Sequence, residues 1–128
     1  MHKIEETTYG YRMTFEGFFR RDDVERWVSD VRKRVGGRGK FGNLVDMRGA
    51  SAFPADAQET LFEGISLCRE KGMERAGIVV ANPISKIQAV RFTRETGIHD
   101  IVRFVDASSE PNWEKIAQDW ITQAKDPD

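Results

Sequence analysis

The sequence predicts an α/β fold: a central mixed sheet of about five strands with covering helices, in the order ββαβαβαβα. Three observations carry that reading. Largely apolar runs at residues 41–47, 76–81 and 101–105, the second of them continuous, have the character of strands buried on both faces. Between them lie segments whose apolar residues recur at helical spacing. Glycine, proline or asparagine stands at most of the boundaries. At 128 residues the chain fits one domain, 1–128, whose tail from Asp126 is expected to fray.

Residues 4–19 are rich in β-formers and are broken at Gly10. Tyr11, Met13 and Phe15 alternate with Arg12, Thr14 and Glu16, the period-2 pattern of a half-buried strand. The segment therefore reads as a β-hairpin, or two short strands, turning near Gly10. Asp22 with Glu25 three residues later is a capping-box-like helix start, Asp standing in for Ser or Thr. Val24, Trp27, Val28, Val31 and Val35 then form one apolar stripe, which Gly36 and Gly37 stop. The strand at 41–47 is bounded by Gly42 and Gly49.

Pro54 suits the first position of the next helix, where its missing N–H costs nothing. Asp56 and Glu59 lie in or near its first turn, where the helix dipole favours negative charge. Ala57, Leu61, Gly64, Ile65 and Cys68 make its buried face, and Lys71 and Gly72 close it. After the strand at 76–81, Asn82 caps a third helix with Pro83 at its first position. That helix has a narrower stripe, Ile84, Ile87 and Val90, a basic outer face and a stop at Gly97. The last strand, 101–105, leads to a helix starting at Ser108 or Ser109, with Trp113, Ile116, Ala117, Trp120, Ile121 and Ala124 on its stripe.

Composition narrows the function classes. Charged residues make up 32% and apolar residues 39%, an ordinary globular balance. The formal net charge of −1 supplies no global field for nucleic acid or an acidic membrane. A single cysteine, Cys68, rules out an intramolecular disulfide and suits a reducing compartment. No apolar run near Met1 has the form of a signal peptide, and none has the length of a membrane span, so the expected location is cytoplasmic.

The order of elements, the strand ending Thr14-Phe15-Glu16-Gly17 before a helix, and the run Asn43-Leu44-Val45-Asp46-Met47-Arg48-Gly49 resemble the STAS family. This is the fold of bacterial anti-sigma-factor antagonists, and the likeness is greatest to its SpoIIAA-like branch. The Pro54 helix and the strand Ile78-Val79-Val80 follow in the matching order, so the resemblance covers about residues 11–106. It implies a domain that binds partners and switches by phosphorylation of a serine at a helix N-terminus, without catalysis. The serine position falls at Pro54-Ala55-Asp56, where no hydroxyl stands; Ser51 is the nearest. Asp56 would place a permanent negative charge where such proteins carry a phosphate.

Residues that carry chemistry are few. Asp46 and Arg48 end a central strand, where ligand crevices of open α/β sheets form. Asn82 and Ser85 follow the next strand and Asp106 the last, so together these side chains make one candidate polar rim. Turn chemistry and helix capping need the same residue types. A receiver-domain role for Asp46 requires further carboxylates near the first strand, and only Glu16 is there. Arg32, Lys33, Arg34, Arg38 and Lys40 form a basic cluster, yet only Phe41 is at hand for stacking and the overall charge argues against nucleic acid. Gly36-Gly37-Arg38-Gly39-Lys40 follows a helix and precedes a strand, the reverse of a phosphate loop. The only histidines, His2 and His99, are far apart in the chain, which makes a nucleophilic triad remote. No ligand spacing suggests zinc, and no cofactor is expected.

Two function classes result. The first is a non-enzymatic regulatory or protein-binding module whose partner meets the stretch 48–59, including Arg48, Ser51, Pro54 and Asp56, with Asn82, Ser85 and Lys86 beside it. The second is a small-molecule-binding protein with an apolar pocket between sheet and helices and a polar rim at Asp46 and Arg48. A flat patch near Pro54 favours the first; a concave pocket of a few hundred Å³ favours the second. An enzyme using Asp46 or Asp106 as general base requires burial to raise a carboxylate pKa. Two-fold homodimers are the commonest soluble oligomers, so a homodimer is the expectation for any assembly of this chain.

Overall fold

The computed structural model describes residues 1–128. The elements are β1 (His2–Glu6), β2 (Gly10–Gly17), α1 (Arg21–Arg34), β3 (Phe41–Ala50), α2 (Ala55–Glu70), β4 (Met73–Val80), α3 (Pro83–Thr96), β5 (Val102–Asp106) and α4 (Trp113–Gln123). The five strands lie side by side in sequence order, β1 antiparallel to β2 and every later pair parallel. The predicted α/β class, strand number and element order are all present.

Right-handed crossovers between consecutive parallel strands place their helices on one face. That is where α1, α2 and α3 lie. One core joins Met13, Phe15, Val45, Ile78 and Phe104 from the sheet with Val24, Trp27, Val31, Ala57 and Cys68 from the helices. The alternate strand residues Leu44, Val79 and Val105 point to the other face, where α4 alone meets them through Ala117, Trp120 and Ile121. Small residues let α4 come close. A Cβ on Gly42 would collide with Ile121, and one on Gly77 would press on Ala117 at 3.2 Å. Trp120 completes the seat by donating its Nε1–H to the Ala76 carbonyl at 3.1 Å.

β4 begins three residues earlier than expected and β5 is shifted by one; four other boundaries differ for a local reason. The N-cap of α1 is Arg20, two residues before the expected Asp22, because Asp23 turns back to accept the Arg20 backbone N–H at 2.9 Å. Pro54 is the residue before α2 rather than its first helical position. α4 begins at Trp113, not at Ser108 or Ser109. The carboxylate of Asp106 accepts both the N–H (2.9 Å) and the O–H (2.6 Å) of Ser108, which holds that stretch in a turn. β3 runs on to Ala50 through a bulge: Thr14 pairs with Asp46 but Glu16 pairs with Gly49, so Met47 and Arg48 oppose Phe15 alone.

The largest correction concerns α3. Asn82 caps it through Ser85 N–H (2.8 Å) with Pro83 at its first position, and Gly97 ends it at φ 79°, as the sequence suggested. Its orientation is another matter. Ile84 and Ile87, expected in the core, are 69% and 62% exposed, and Thr93 is the one fully buried residue of the helix.

Candidate functional site

α2 packs along α1, but α3 stands off from α2, and the two approach at the near-perpendicular rings of Phe62 and Phe92, 6.2 Å apart. The residues with which α3 lines the space beside α2 are Ser85, Gln88, Ala89, Arg91, Phe92 and Glu95, mostly polar or small, and they do not fill it. A cleft of about 470 Å³ results, at the C-terminal ends of β3 and β4. Met47, Leu61, Val80 and Phe92 give it an apolar interior; Ser51, Asn82, Ser85 and Gln88 stand among its polar lining. Phe53 walls one end, stacked on Phe19 at 5.3 Å and held by Gln58, whose amide donates to the Phe53 carbonyl at 2.8 Å.

A second polar group lies on the opposite face of β3. Asp46 is 5% exposed, and both its oxygens are taken by Arg48: Nε to Oδ1 at 3.0 Å, Nη2 to Oδ2 at 2.9 Å, with the Arg48 backbone N–H on Oδ1 at 3.1 Å. Arg12 approaches Asp46 to 3.6 Å and pairs with Glu114 of α4 at 3.1 Å. The Arg48 guanidinium rests over the Trp113 ring, 4.0 Å from its centroid. Burial pushes the Asp46 pKa up, but the hydrogen bonds and charge of Arg48, with Arg12 behind, outweigh it and hold the carboxyl below its usual range. Asp106 is also held low, chiefly by the Ser108 hydroxyl. Both shifts run against a general base, which needs a raised carboxylate pKa.

The expected single polar rim is therefore divided. Side chains alternate along a strand, so Asp46 faces α4 while Met47 faces the cleft. Ser51, Asn82 and Ser85 are brought together at the cleft. Pro54 and Asp56 flank it at the start of α2, where the Asp56 carboxylate accepts the Ala57 N–H at 2.9 Å. Lys86 turns away toward Asp128, 3.7 Å distant. Sequence reasoning missed Arg12, Trp113 and Glu114, which complete the Asp46 group. It also missed Met47, Leu61 and Phe92 as cleft lining. Arg12 was visible only as the outward residue of an alternating strand.

Two of the five basic cluster residues are bound into the fold. Arg34 donates to the Ile4 carbonyl at 2.8 Å, and Arg38 to those of Gly10 (2.9 Å) and Thr7 (3.2 Å). Lys40 lies 3.7 Å from Glu74. No helix is long and apolar enough to cross a membrane.

No protein-family model and no curated protein matches this chain. Among solved structures, it is similar to an uncharacterised protein of the DUF3478 family from Shewanella loihica PV-4, described as having a SpoIIAA-like fold. The match has a TM-score of 0.65 at 15% identity and covers 94% of this chain and 92% of that one. The fold is accordingly SpoIIAA-like, in agreement with the resemblance read from the residues.

Proposed function

We propose that this protein binds a small, largely apolar molecule in the cleft between α2 and α3. The observation that carries the reading is the cleft itself: about 470 Å³, within the ordinary range of ligand pockets, with nine hydrophobic residues in its lining beside seven polar ones, Arg91 and Glu95 among them. Met47, Leu61, Val80 and Phe92 would cover the apolar body of the ligand. Ser51, Asn82 and Ser85 would meet a polar end near the helix starts. The test uses the neutral dye N-phenyl-1-naphthylamine, which fluoresces on leaving water. Wild type should bind it saturably, and Ala89→Trp, which puts an indole into the cleft, should weaken binding at least tenfold without loss of fold. Equal binding by both proteins would place the dye elsewhere and remove the reading.

A second reading keeps the regulatory, protein-binding role that the resemblance implies. Its support is the pair Ile84 and Ile87, bare on α3 beside Asn82 and Ser85. A docked partner would cover them, as buried apolar area drives association. The two readings separate cleanly: Ile84→Ser with Ile87→Ser should abolish partner binding and leave dye binding intact.

A further inference from the structure

The sheet has two edges, β1 and β5, and they differ in how open they are. In β5 the bonds to β4 come from Ile101 and Ala107, so residues 102, 104 and 106 turn their backbone groups outward. Two of those carbonyls are taken: Val102 accepts from Arg103 Nη1 at 3.0 Å, and Asp106 from the Glu110 N–H at 3.1 Å. In β1, Met1 and Glu16 exchange both backbone bonds, and the Thr7 N–H donates to Gly10 at 2.9 Å. Antiparallel pairs alternate, so Lys3 and Glu5 also bond to β2, while His2, Ile4 and Glu6 turn their N–H and C=O groups away from it. The Ile4 carbonyl accepts from Arg34 at 2.8 Å. It keeps a second lone pair for another donor. Four of the five residues of this edge are ionisable: His2, Lys3, Glu5 and Glu6. Charge ordinarily keeps an edge from pairing. Here it selects one pairing.

We propose that β1 pairs antiparallel with β1 of a second copy of this chain, about a two-fold axis at Ile4, so that the two sheets become continuous. A two-fold strand pair must set outward-turned residues opposite each other. The registers that do so and pair three or more residues of β1 centre on Lys3, Ile4 or Glu5. Centring on Lys3 or on Glu5 sets like charges directly opposite, which is destabilising. Centring on Ile4 uses the whole strand. It sets Lys3 of each copy opposite Glu5 of the other, and His2 opposite Glu6. The Lys3–Glu5 pairs then fall at non-hydrogen-bonded positions, where facing side chains are closest. Both side chains are exposed, 68% and 46%, on the sheet face away from Ile4 and α1. Their contact within the strand, at 3.6 Å, is of the exposed kind that contributes little, so they are free to exchange it. The partner is a copy of this chain because the charge pattern is complementary to itself under a two-fold, where every contact occurs twice. A single short strand makes a small interface, so the dimer is weak, and salt loosens its exposed ion pairs. The edge is remote from the cleft at the ends of β3 and β4, so the proposal holds whether or not the cleft takes a ligand.

The test is sedimentation velocity at low salt over a series of protein concentrations. Wild type should pass from monomer to dimer as concentration rises. Lys3→Glu and Glu5→Lys each set like charges opposite at both symmetry-related pairs, and each should weaken the dimer roughly tenfold or more. Circular dichroism should be unchanged, since both side chains are exposed. Mixing the two variants is the decisive step. One chain then carries acid at both positions and the other base at both, so a mixed dimer should form with about wild-type affinity although neither variant pairs well alone. Lys3→Glu combined with Glu5→Lys in one chain should dimerise like wild type for the same reason. A wild type that stays monomeric at every concentration overturns the proposal. So does a dimer that both single variants form as readily as wild type, which would place the contact elsewhere on the molecule. A mixture that fails to recover association overturns it too, because the variants would then have acted by something other than the pairing of these strands.

Discussion

Asp46 and Cys68 are both enclosed, yet burial settles the chemistry of only one of them. Cys68, 1% exposed on the inner face of α2, has nothing to stabilise a thiolate beyond the distant charge of Lys71, and burial pushes its thiol up to about 12. The thiolate is the reactive form. Cys68 should therefore resist Ellman's reagent at pH 8 in the folded protein and react once per chain in guanidinium chloride. Rapid labelling of the native protein would mean that α2 opens. Asp46 is enclosed with its counter-charges, and they win. An Asp in the unfolded chain titrates near 3.9, and the folded Asp46 lies lower. On acidification the unfolded state takes up the proton first. The stability that Asp46 contributes is thus fully present above about pH 4 and is lost as pH falls through the lower folded value. Asp46→Asn should be less stable than wild type by about 1–3 kcal/mol at pH 7, since it leaves Arg48 and Arg12 without their carboxylate. The gap should close in acid. Parallel stability–pH profiles for the two proteins below pH 5 would show that the network does not depress this group.

Among the elements, α3 differs from its neighbours in how it is held. α1 buries four residues including Trp27, whereas α3 buries Thr93 alone. Segments with few buried apolar contacts open locally at low free energy. Amide hydrogen exchange should therefore release α3 well before α1 and the central strands, and a cleft ligand should slow α3 in particular. Ile84→Ser should change stability by less than about 0.5 kcal/mol, as for an ordinary surface site. A cost above about 2 kcal/mol would mean that this isoleucine packs in solution. The same helix marks where the sequence stops being informative. Its capping residues are local signals, and Asn82, Pro83 and Gly97 were read correctly. Its rotation is not local. Apolar spacing favoured turning Ile84 and Ile87 inward, and the structure turns Ser85, Ala89 and Phe92 that way instead. A cleft is volume that side chains leave unfilled, so no residue announces it. The strands were legible because apolar runs buried on both faces leave few alternatives. The Arg12–Asp46–Glu114 group was not, because its members are far apart in sequence and meet only once the sheet has formed.

At the scale of the whole molecule, two apolar cores share one sheet. The larger lies under α1, α2 and α3, and the smaller is closed by α4 alone. Their coupling follows from strand alternation. In β3, Leu44 serves the α4 side and Val45 the other; in β4, Val79 and Ile78 divide in the same way, and in β5, Val105 and Phe104. A strand cannot release one face and keep its pairing order on the other without exposing a row of apolar side chains to water. Unfolding should accordingly be two-state, although the layers are built from distant parts of the chain. Ile121→Ala tests this at the weaker layer. Ile121 is 4% exposed and seated on Gly42, so truncation should cost about 2–5 kcal/mol, the usual range for an isoleucine removed from a core. The midpoint should fall together for far-UV circular dichroism, which reads all helices, and for exposure of Cys68 to thiol reagent, which reads the opposite core. If α4 instead comes away first and Cys68 stays protected to the wild-type midpoint, the layers are independent. The α4 face would then be an accessory to a domain that α1, α2 and α3 already complete.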